Sequence, residues 1–271
     1  MKTLKYVIPF FFLFTSCEDV IELDLESEEP RLVIEASINW LKGTTGNDQI
    51  VKLSLTTPYY SNEITPANNA IVTISDENNN TFIFTEEGTT GVYKTNQFIP
   101  VNDERYYLFI QYGNETYTAE ETLISVSDLD FIQQDEGAGI LGDDIELKAY
   151  FSDPETEGNH YLFEFQSEIF TIPDLNVYND EFTNGNQMFG YYSDEDLESG
   201  QNVTIKNYGI SEGFYNYMFI LLQQNSQDAG GPFETQPATV RGNCINQTNP
   251  NNFPLGYFRL SEVAEIVYTI E

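Results

Sequence analysis

From residue 31 onward, apolar positions recur at every second residue in short runs: "RLVIEASI" from 31, "QIVKLSL" from 49, "NAIVTISD" from 69, "NTFIFTE" from 80, "GVYKT" from 91, "RYYLFIQY" from 105 and "ETYTAEE" from 115. A period of two puts alternate side chains on opposite faces of an extended chain, as in a half-buried strand. Turn-forming clusters separate the runs, notably "KGTTGND", "SDENNN" and "EEGTTG". Short strands punctuated in this way predict an all-β sandwich of about seven strands over 31–124.

The stretch "SVSDLDFIQQDEGAGILGDD", 125–144, has little periodicity and marks a junction to a second region, 125–271. Further strands are expected at "IELKAYF", "HYLFEFQSEIF" and "QNVTIKNY", and the tail "GYFRLSEVAEIVYTIE" reads as one or two strands returning to a sheet. Near 211 the period changes. Phe214, Met218, Leu221, Leu222 and Asn225 share one helical face with Tyr217 beside them, Ser211 stands at the N-cap, and "DAGGP" supplies a stop. One amphipathic helix near 211–228 is therefore expected, with Gly213 weakening its first turn by up to about 1 kcal/mol. The fold class is mainly β, with an N-terminal sandwich followed by a second β-rich domain carrying one α-helix. The order "AIVTISDENNNTFIFTEEGTTGVYKT" and then "RYYLFI" resembles the immunoglobulin-like modules of bacterial surface proteins, so the first unit is expected to be an immunoglobulin-like β-sandwich.

The beginning of the chain follows a different pattern. Lys2 and Lys5 precede an apolar run, Tyr6–Phe14, broken only by Pro9, and the small residues Thr15 and Ser16 follow it. This is the layout of a secretory signal, 1–16, and the run is too short for a membrane-spanning helix. Cys17 then sits where a bacterial lipoprotein carries its acylated cysteine, although Phe14 takes a place usually held by Leu. The competing role, a buried or disulfide-bonded Cys17, needs an N-terminus that stays attached. Two or three acyl chains hold such a protein durably to a bilayer, because each buried CH2 contributes about 0.8 kcal/mol. The acidic run "EDVIELDLESEEP" after it reads as a solvated stalk, 17–30 with the cysteine. Glu18 and Asp19 resemble the acidic signal that sends Bacteroidetes lipoproteins to the outer face of the outer membrane.

Charge narrows the choice of partners. The chain has 44 acidic and 11 basic residues; removal of 1–16 takes two lysines and leaves 9 against 44, a balance of −35. Such a chain repels nucleic-acid phosphates. It is nevertheless 40% apolar and 14% aromatic, which sets it apart from disordered acidic chains. With Cys17 acylated, Cys244 has no intramolecular partner, so no disulfide framework holds the fold.

Catalytic chemistry finds little to build on. His160 is the only histidine, it lacks a nucleophile motif nearby, and one histidine with one cysteine does not make a zinc site. It reads as a histidine at a loop edge. Carboxylates are too abundant for any pair to indicate glycoside hydrolysis. "SDPETEGN" (152–159) and "SDEDLES" (193–199) have oxygen ligands for calcium but not the spacing of an EF-hand, and read as solvated turns. No metal and no cofactor is expected. Aromatic residues offer more: Tyr178 in "NVYNDEF" and Phe189, Tyr191 and Tyr192 in "MFGYYSD" lie in sequence that reads as loop, where exposed rings suit a ligand or a partner. Phe253, Tyr257 and Phe258 in "FPLGYF" are further contact candidates, the alternative being that Gly256 permits a close backbone approach while Tyr257 and Phe258 fill the core.

The order "ISEGFYNYMFILLQQ", "GGPFETQPATVRGNCIN", "NNFPLGYFRLSEV", together with "CEDVIELDL", "RLVIEASI" and "SDEDLESGQNVTI", resembles a Bacteroidetes outer-membrane lipoprotein family defined by a domain of unknown function, four-two-four-nine. The resemblance spans nearly the whole mature chain. Cys244 departs from it, standing where an apolar residue is expected, and is read as a buried thiol. Such lipoproteins are commonly encoded beside SusC-like TonB-dependent transporters. The resemblance therefore implies a surface lipoprotein that is an accessory or ligand-capturing partner of such a barrel. A freestanding adhesin or glycan-binding module is the competing expectation, and an envelope assembly factor a third.

Overall fold

The computed structural model describes residues 29–58, 61, 63–138, 144–225 and 239–271. Cys17, the stalk before Glu29 and the expected helix end beyond 225 lie outside the described residues. The elements are β1 Leu32–Leu41, β2 Gln49–Leu55, β3 Thr65–Pro66, β4 Ile71–Asp76, β5 Thr81–Glu86, β6 Val92–Thr95, β7 Arg105–Tyr112, β8 Glu115–Ile124, β9 Leu129–Ala138, β10 Asp144–Ser152, β11 His160–Ser167, β12 Asp174–Asn179, β13 Gln187–Asp194, β14 Asn202–Ile210, α1 Glu212–Asn225, β15 Ile245–Asn246 and β16 Leu255–Thr269. The chain is mainly β with one helix among the described residues.

Each alternating run of 31–124 forms a strand, and the alternation decides its inner face. In β1, Leu32, Ile34, Ala36 and Ile38 are buried while the residues between them are not. They join Val51, Leu53, Ile74, Tyr93, Phe98, Tyr106, Leu108 and Ile110 in one core. The expected two separate sheets are not what the pairings make. They run β16–β1–β2–β6–β5–β4–β7–β8, and β8 returns to β16 through Leu123↔Leu260 and Ile124↔Ser261, closing a barrel-like circuit of eight strands. The closing strand comes from the end of the chain, so the pattern of 31–124 could not reveal it. The division into 31–124 and 125–271 is crossed for the same reason, since β15 pairs with β8 and the first half of β16 with β1.

The second module has two sheets, β9–β10–β13 and β12–β11–β14–β16, whose facing side chains share one core: Leu147, Ala149 and Phe151 from one, Phe163, Phe165, Val203 and Ile205 from the other. Gly190 is what lets them close, because a Cβ there would lie 2.3 Å from the ring of Phe163. Phe151 packs on Phe163 (5.7 Å) and on Tyr161 (4.6 Å), giving an aromatic core. "MFGYYSD" is therefore strand β13 rather than loop, with Met188, Gly190 and Tyr192 inward and Phe189 and Tyr191 outward. "NVYNDEF" likewise contains strand β12. Gly190 serves the close approach of the two sheets, and Asn176 serves the bonding at the edge.

Helix α1 starts where Ser211 places it. The Ser211 hydroxyl accepts the Phe214 N–H (3.2 Å), satisfying one otherwise open donor, and its carbonyl accepts the Tyr215 N–H (2.9 Å) as the first intrahelical bond. Phe214 is buried on the outer face of the four-stranded sheet with Leu162, Tyr208, Ile210 and Val263. Beneath the helix lies Arg259, buried, donating to Ser261 Oγ (2.6 Å) and Asn39 Oδ1 (2.8 Å) and lying over the rings of Tyr208 (4.8 Å) and Phe214 (5.1 Å). Burial lowers its pKa to about 10, so the guanidinium stays charged.

Candidate binding surfaces

The outward face of the β9–β10–β13 sheet carries an aromatic row. The registers Tyr150↔Phe131 and Tyr150↔Phe189 place one ring on each strand. Phe131 stacks on Tyr150 at 4.6 Å and Tyr150 meets Phe189 at 5.2 Å, close to the spacing of neighbouring strands. Phe131 is 47% and Phe189 39% exposed, and Tyr191, one row away, is 38% exposed. Polar groups flank the row. Asp130 accepts from Ser152 Oγ (3.0 Å) and Gln187 Nε2 (3.2 Å), and Tyr150 Oη donates to Gln133 Oε1 (3.2 Å). Lys148 stands over Phe189 (5.8 Å) and is held by Glu146 and Asp135. An apolar strip bordered by amides and carboxylates suits an amphipathic ligand or partner.

Next to this face, the free edge of β13 is bonded across to β12. The Tyr191 N–H donates to Tyr178 Oη (3.0 Å) and Asn176 Nδ2 donates to the Tyr191 carbonyl (3.4 Å). Both backbone groups of Tyr191 are thus occupied, which blocks strand addition at that point. Tyr178 packs edge-on against Phe163 (5.6 Å), so its role is structural.

Other expected contact residues are placed differently. Tyr192 is 6% exposed and stacked on Phe165 (5.3 Å), and Phe258 is 0% exposed in the first core; neither can meet a partner. Period two explains both, since each sits on the inward phase of its strand. Gly256, at φ +88°, has the Ile34 carbonyl oxygen 2.1 Å from where a Cβ would stand, so the close-approach reading of "FPLGYF" holds for it. Tyr257 is half-buried under α1, edge-on to Phe214 (5.0 Å), and donates to Glu121 (3.3 Å). The guanidiniums of Arg31 (4.0 Å) and Arg241 (3.8 Å) both lie over the ring of Phe253. Cys244 is a buried core thiol, its pKa pushed up to about 12 by burial. Cys17 falls outside the described residues.

A cleft of about 530 Å³ between the modules is lined by Glu121, Ser125, Glu157, His160, Ser211 and Glu212. Ser211 is committed as the helix cap and donates to Glu121 (2.9 Å), while His160 packs on Tyr215 (5.0 Å). The acidic turns are hydrogen-bonded to protein groups: in 152–159 Asp153 accepts from Tyr161 Oη and the Gly185 N–H while the Gly158 N–H donates to Asp180, and in 193–199 the Asp196 N–H donates to Asp194 Oδ1 (2.8 Å). Among the described residues no group of three or more His, Cys, Asp or Glu could hold a metal ion, and no helix is long and apolar enough to cross a membrane.

Phe131 and Tyr150 are the surface residues that sequence reasoning missed. Their signal was phase: in "IELKAYF" the core residues are Leu147, Ala149 and Phe151, leaving Tyr150 an aromatic on the outward phase.

The family profile of the Domain of unknown function (DUF4249) matches residues 18–266. The chain belongs to this family. No curated protein matches it. Among solved structures, a cytokine receptor complex is similar at 7% identity over 67% of this chain and 86% of that one, with a TM-score of 0.27. A two-domain fibronectin type III segment of chicken tenascin gives 9% identity over 68% and 92%, with a TM-score of 0.22. The chicken interferon gamma receptor alpha chain gives 10% over 66% and 88%, with a TM-score of 0.21. At such scores the likenesses carry nothing about this chain's arrangement or role.

Proposed function

We propose that this protein is a surface-exposed outer-membrane lipoprotein, held by acylated Cys17, that serves as an accessory or ligand-capturing partner of a SusC-like TonB-dependent transporter. In this reading the modules are immunoglobulin-like surface units and the role is binding, not catalysis. The observation that carries it is the outward row Phe131–Tyr150–Phe189, three rings that no core requires. The lipoprotein sequence at Cys17 supplies the location, and the order of motifs shared with the Bacteroidetes family supplies the class of partner. A C-terminally tagged chain recovered from detergent-solubilised outer membranes, with Cys17→Ala as the anchoring control, should bring a stoichiometric barrel with it. Recovery of the lipoprotein alone, under conditions that preserve known barrel complexes, would refute the accessory role.

The polar border of the row favours a second reading, a freestanding adhesin or glycan-binding lipoprotein. In that case the chain binds its glycan without a barrel, and Phe131→Ala with Phe189→Ala removes the binding while leaving the fold unchanged.

A further inference from the structure

The sheet β9–β10–β13 has two edge strands in different states. At β13 both backbone groups of Tyr191 are taken, by Tyr178 Oη and Asn176 Nδ2. Those two bonds fix the direction of the other backbone groups in the sheet. In an antiparallel ladder the N–H and C=O of one residue point to the same side, and the side alternates along the strand. Tyr191 faces β12, so Lys148 opposite it faces β9 and exchanges bonds with Gln133, its partner there. Along β9, Phe131, Gln133 and Asp135 thus face β10, while Ile132, Gln134 and Glu136 turn their N–H and C=O groups to the free edge. Among the described residues no hydrogen bond reaches these groups.

The open edge is regular and fixed. Pairing with β10 runs unbroken from Phe131↔Tyr150 to Glu136↔Ile145, with register shifts only beyond both ends. Gln134 ties the strand to the sheet beneath, its Oε1 accepting from Tyr268 Oη (3.2 Å) and the Glu271 N–H (3.0 Å). One end of the aromatic row lies on this edge. The planes of Phe131 and Tyr150 are 18° apart at a centre distance of 4.6 Å, so the rings meet face to face. The second face of Phe131 therefore turns to the free edge, where the residue is 47% exposed. A strand added to β9 would lie about 4.8 Å further on, close to the step between the rings themselves. Charge gives the edge a sign: β9 and β10 carry Asp130, Asp135, Glu136, Asp144 and Glu146 against Lys148, which Glu146 and Asp135 already hold.

We infer that β9 accepts an extended segment of a partner protein as a fourth strand, which lays an aromatic side chain on the open face of Phe131 and brings lysine or arginine beside Asp135 and Glu136. The inference deepens the reading of the aromatic row as a contact surface and rests on it. Unpaired backbone groups in a row are a template for an incoming strand, whose main-chain bonds supply affinity while its alternate side chains supply selectivity. Aromatic pairs across neighbouring strands stabilise such pairing, and opposite charges favour it. A second copy of this chain is the poorer occupant, because it brings a net charge of −33 to an edge that is itself acidic. The edge of β13 does not compete, since Tyr178 and Asn176 occupy it at Tyr191.

The test selects a displayed library of random short peptides on the full-length chain in detergent micelles, and follows amide exchange along β9 with a selected peptide bound. The peptides should carry an aromatic residue near lysine or arginine, and should slow exchange at Ile132, Gln134 and Glu136. N-methylation at alternate peptide residues should abolish binding in one phase and leave it intact in the other, since only every second amide faces β9. Phe131→Ala, at an exposed position, should weaken binding about tenfold. A library that yields no peptide slowing those amides, or peptides that tolerate N-methylation in both phases, overturns the strand pairing; the row as a contact is then judged separately, by recovery of the barrel with Phe131→Ala and Phe189→Ala. Peptides that pair with β9 but bind the Phe131→Ala chain as tightly as the wild type overturn the row, and this inference with it. Exchange slowed at the same amides on concentrating the chain without peptide would put a second copy at the edge and overturn the partner named here.

Discussion

Strand β16 passes through two environments. Over Phe258–Ala264 every residue is buried, whichever face it is on, whereas Glu265–Thr269 alternate between outward and inward. The second half behaves as its sequence predicts, with Val267 and Thr269 outward and Ile266 against the second core. In the first half Arg259, Ser261 and Glu262 are polar and buried, each with partners: Ser261 Oγ donates to the Gly209 carbonyl (2.5 Å), and Glu262 accepts the Val126 N–H (3.0 Å) and lies 3.7 Å from Lys42 Nζ. One strand thus carries a solvent-facing pattern and a fully enclosed polar one. The difference lies in what covers them: helix α1 and the inter-module joint enclose the first half, whereas Glu265, Val267 and Thr269 of the second are exposed. Polar residues can be buried where most of their hydrogen-bonding groups are met, although Arg259 Nε has no hydrogen-bond partner among the described residues, so burial follows from the cover and not from hydropathy alone.

Since both modules use β16, they should unfold together, and substitutions test that most sharply. The largest effect is expected from Phe163→Ala, deep in the second core, at about 3–5 kcal/mol. Trp40, the only tryptophan, lies opposite Glu262 at the joint end of β1, so its emission should shift to the same lowered midpoint as the far-ultraviolet signal. A Trp40 transition left unchanged would separate the modules and defeat the idea of a shared strand. Gly190→Ala forces a methyl into the Phe163 ring and should cost about 1–3 kcal/mol, read by chemical denaturation. A neutral result there would mean that the two sheets move apart at little cost.

Smaller changes sharpen the other side, the cover over the first half. Ser211→Ala removes the N-cap of α1 and should cost about 1 kcal/mol, with increased exchange of the Phe214 and Tyr215 amides. Glu121→Gln addresses the joint. Burial raises the Glu121 carboxyl above its ordinary 4.5, outweighing the hydrogen bonds from the Thr122 N–H, Ser211 and Tyr257 that lower it. A carboxyl raised on folding favours the folded state at low pH and loses that contribution as pH rises through its folded value. Denaturation series should therefore show the wild type losing stability relative to Glu121→Gln as pH rises from 4 to 7. A constant difference across that range would contradict the assignment.

Much was legible in the sequence because it was local. Period two placed the strands of 31–124, and the step to period 3.6 with Ser211 ahead of it located the start of α1. Phase alone would have separated the inward Tyr192 and Phe258 from the outward Phe189 and Tyr191, once "MFGYYSD" was recognised as strand rather than loop. What only the tertiary structure decided were relations between distant segments. The circuit of the first module is closed by a strand that begins 131 residues after the end of β8. The aromatic row exists because three strands align Phe131, Tyr150 and Phe189, and the contact of Arg31 with Phe253 because parallel pairing brings residue 31 near residue 253. Hydropathy records which side chains leave water; strand register determines which of them meet, and no short stretch of sequence contains both partners.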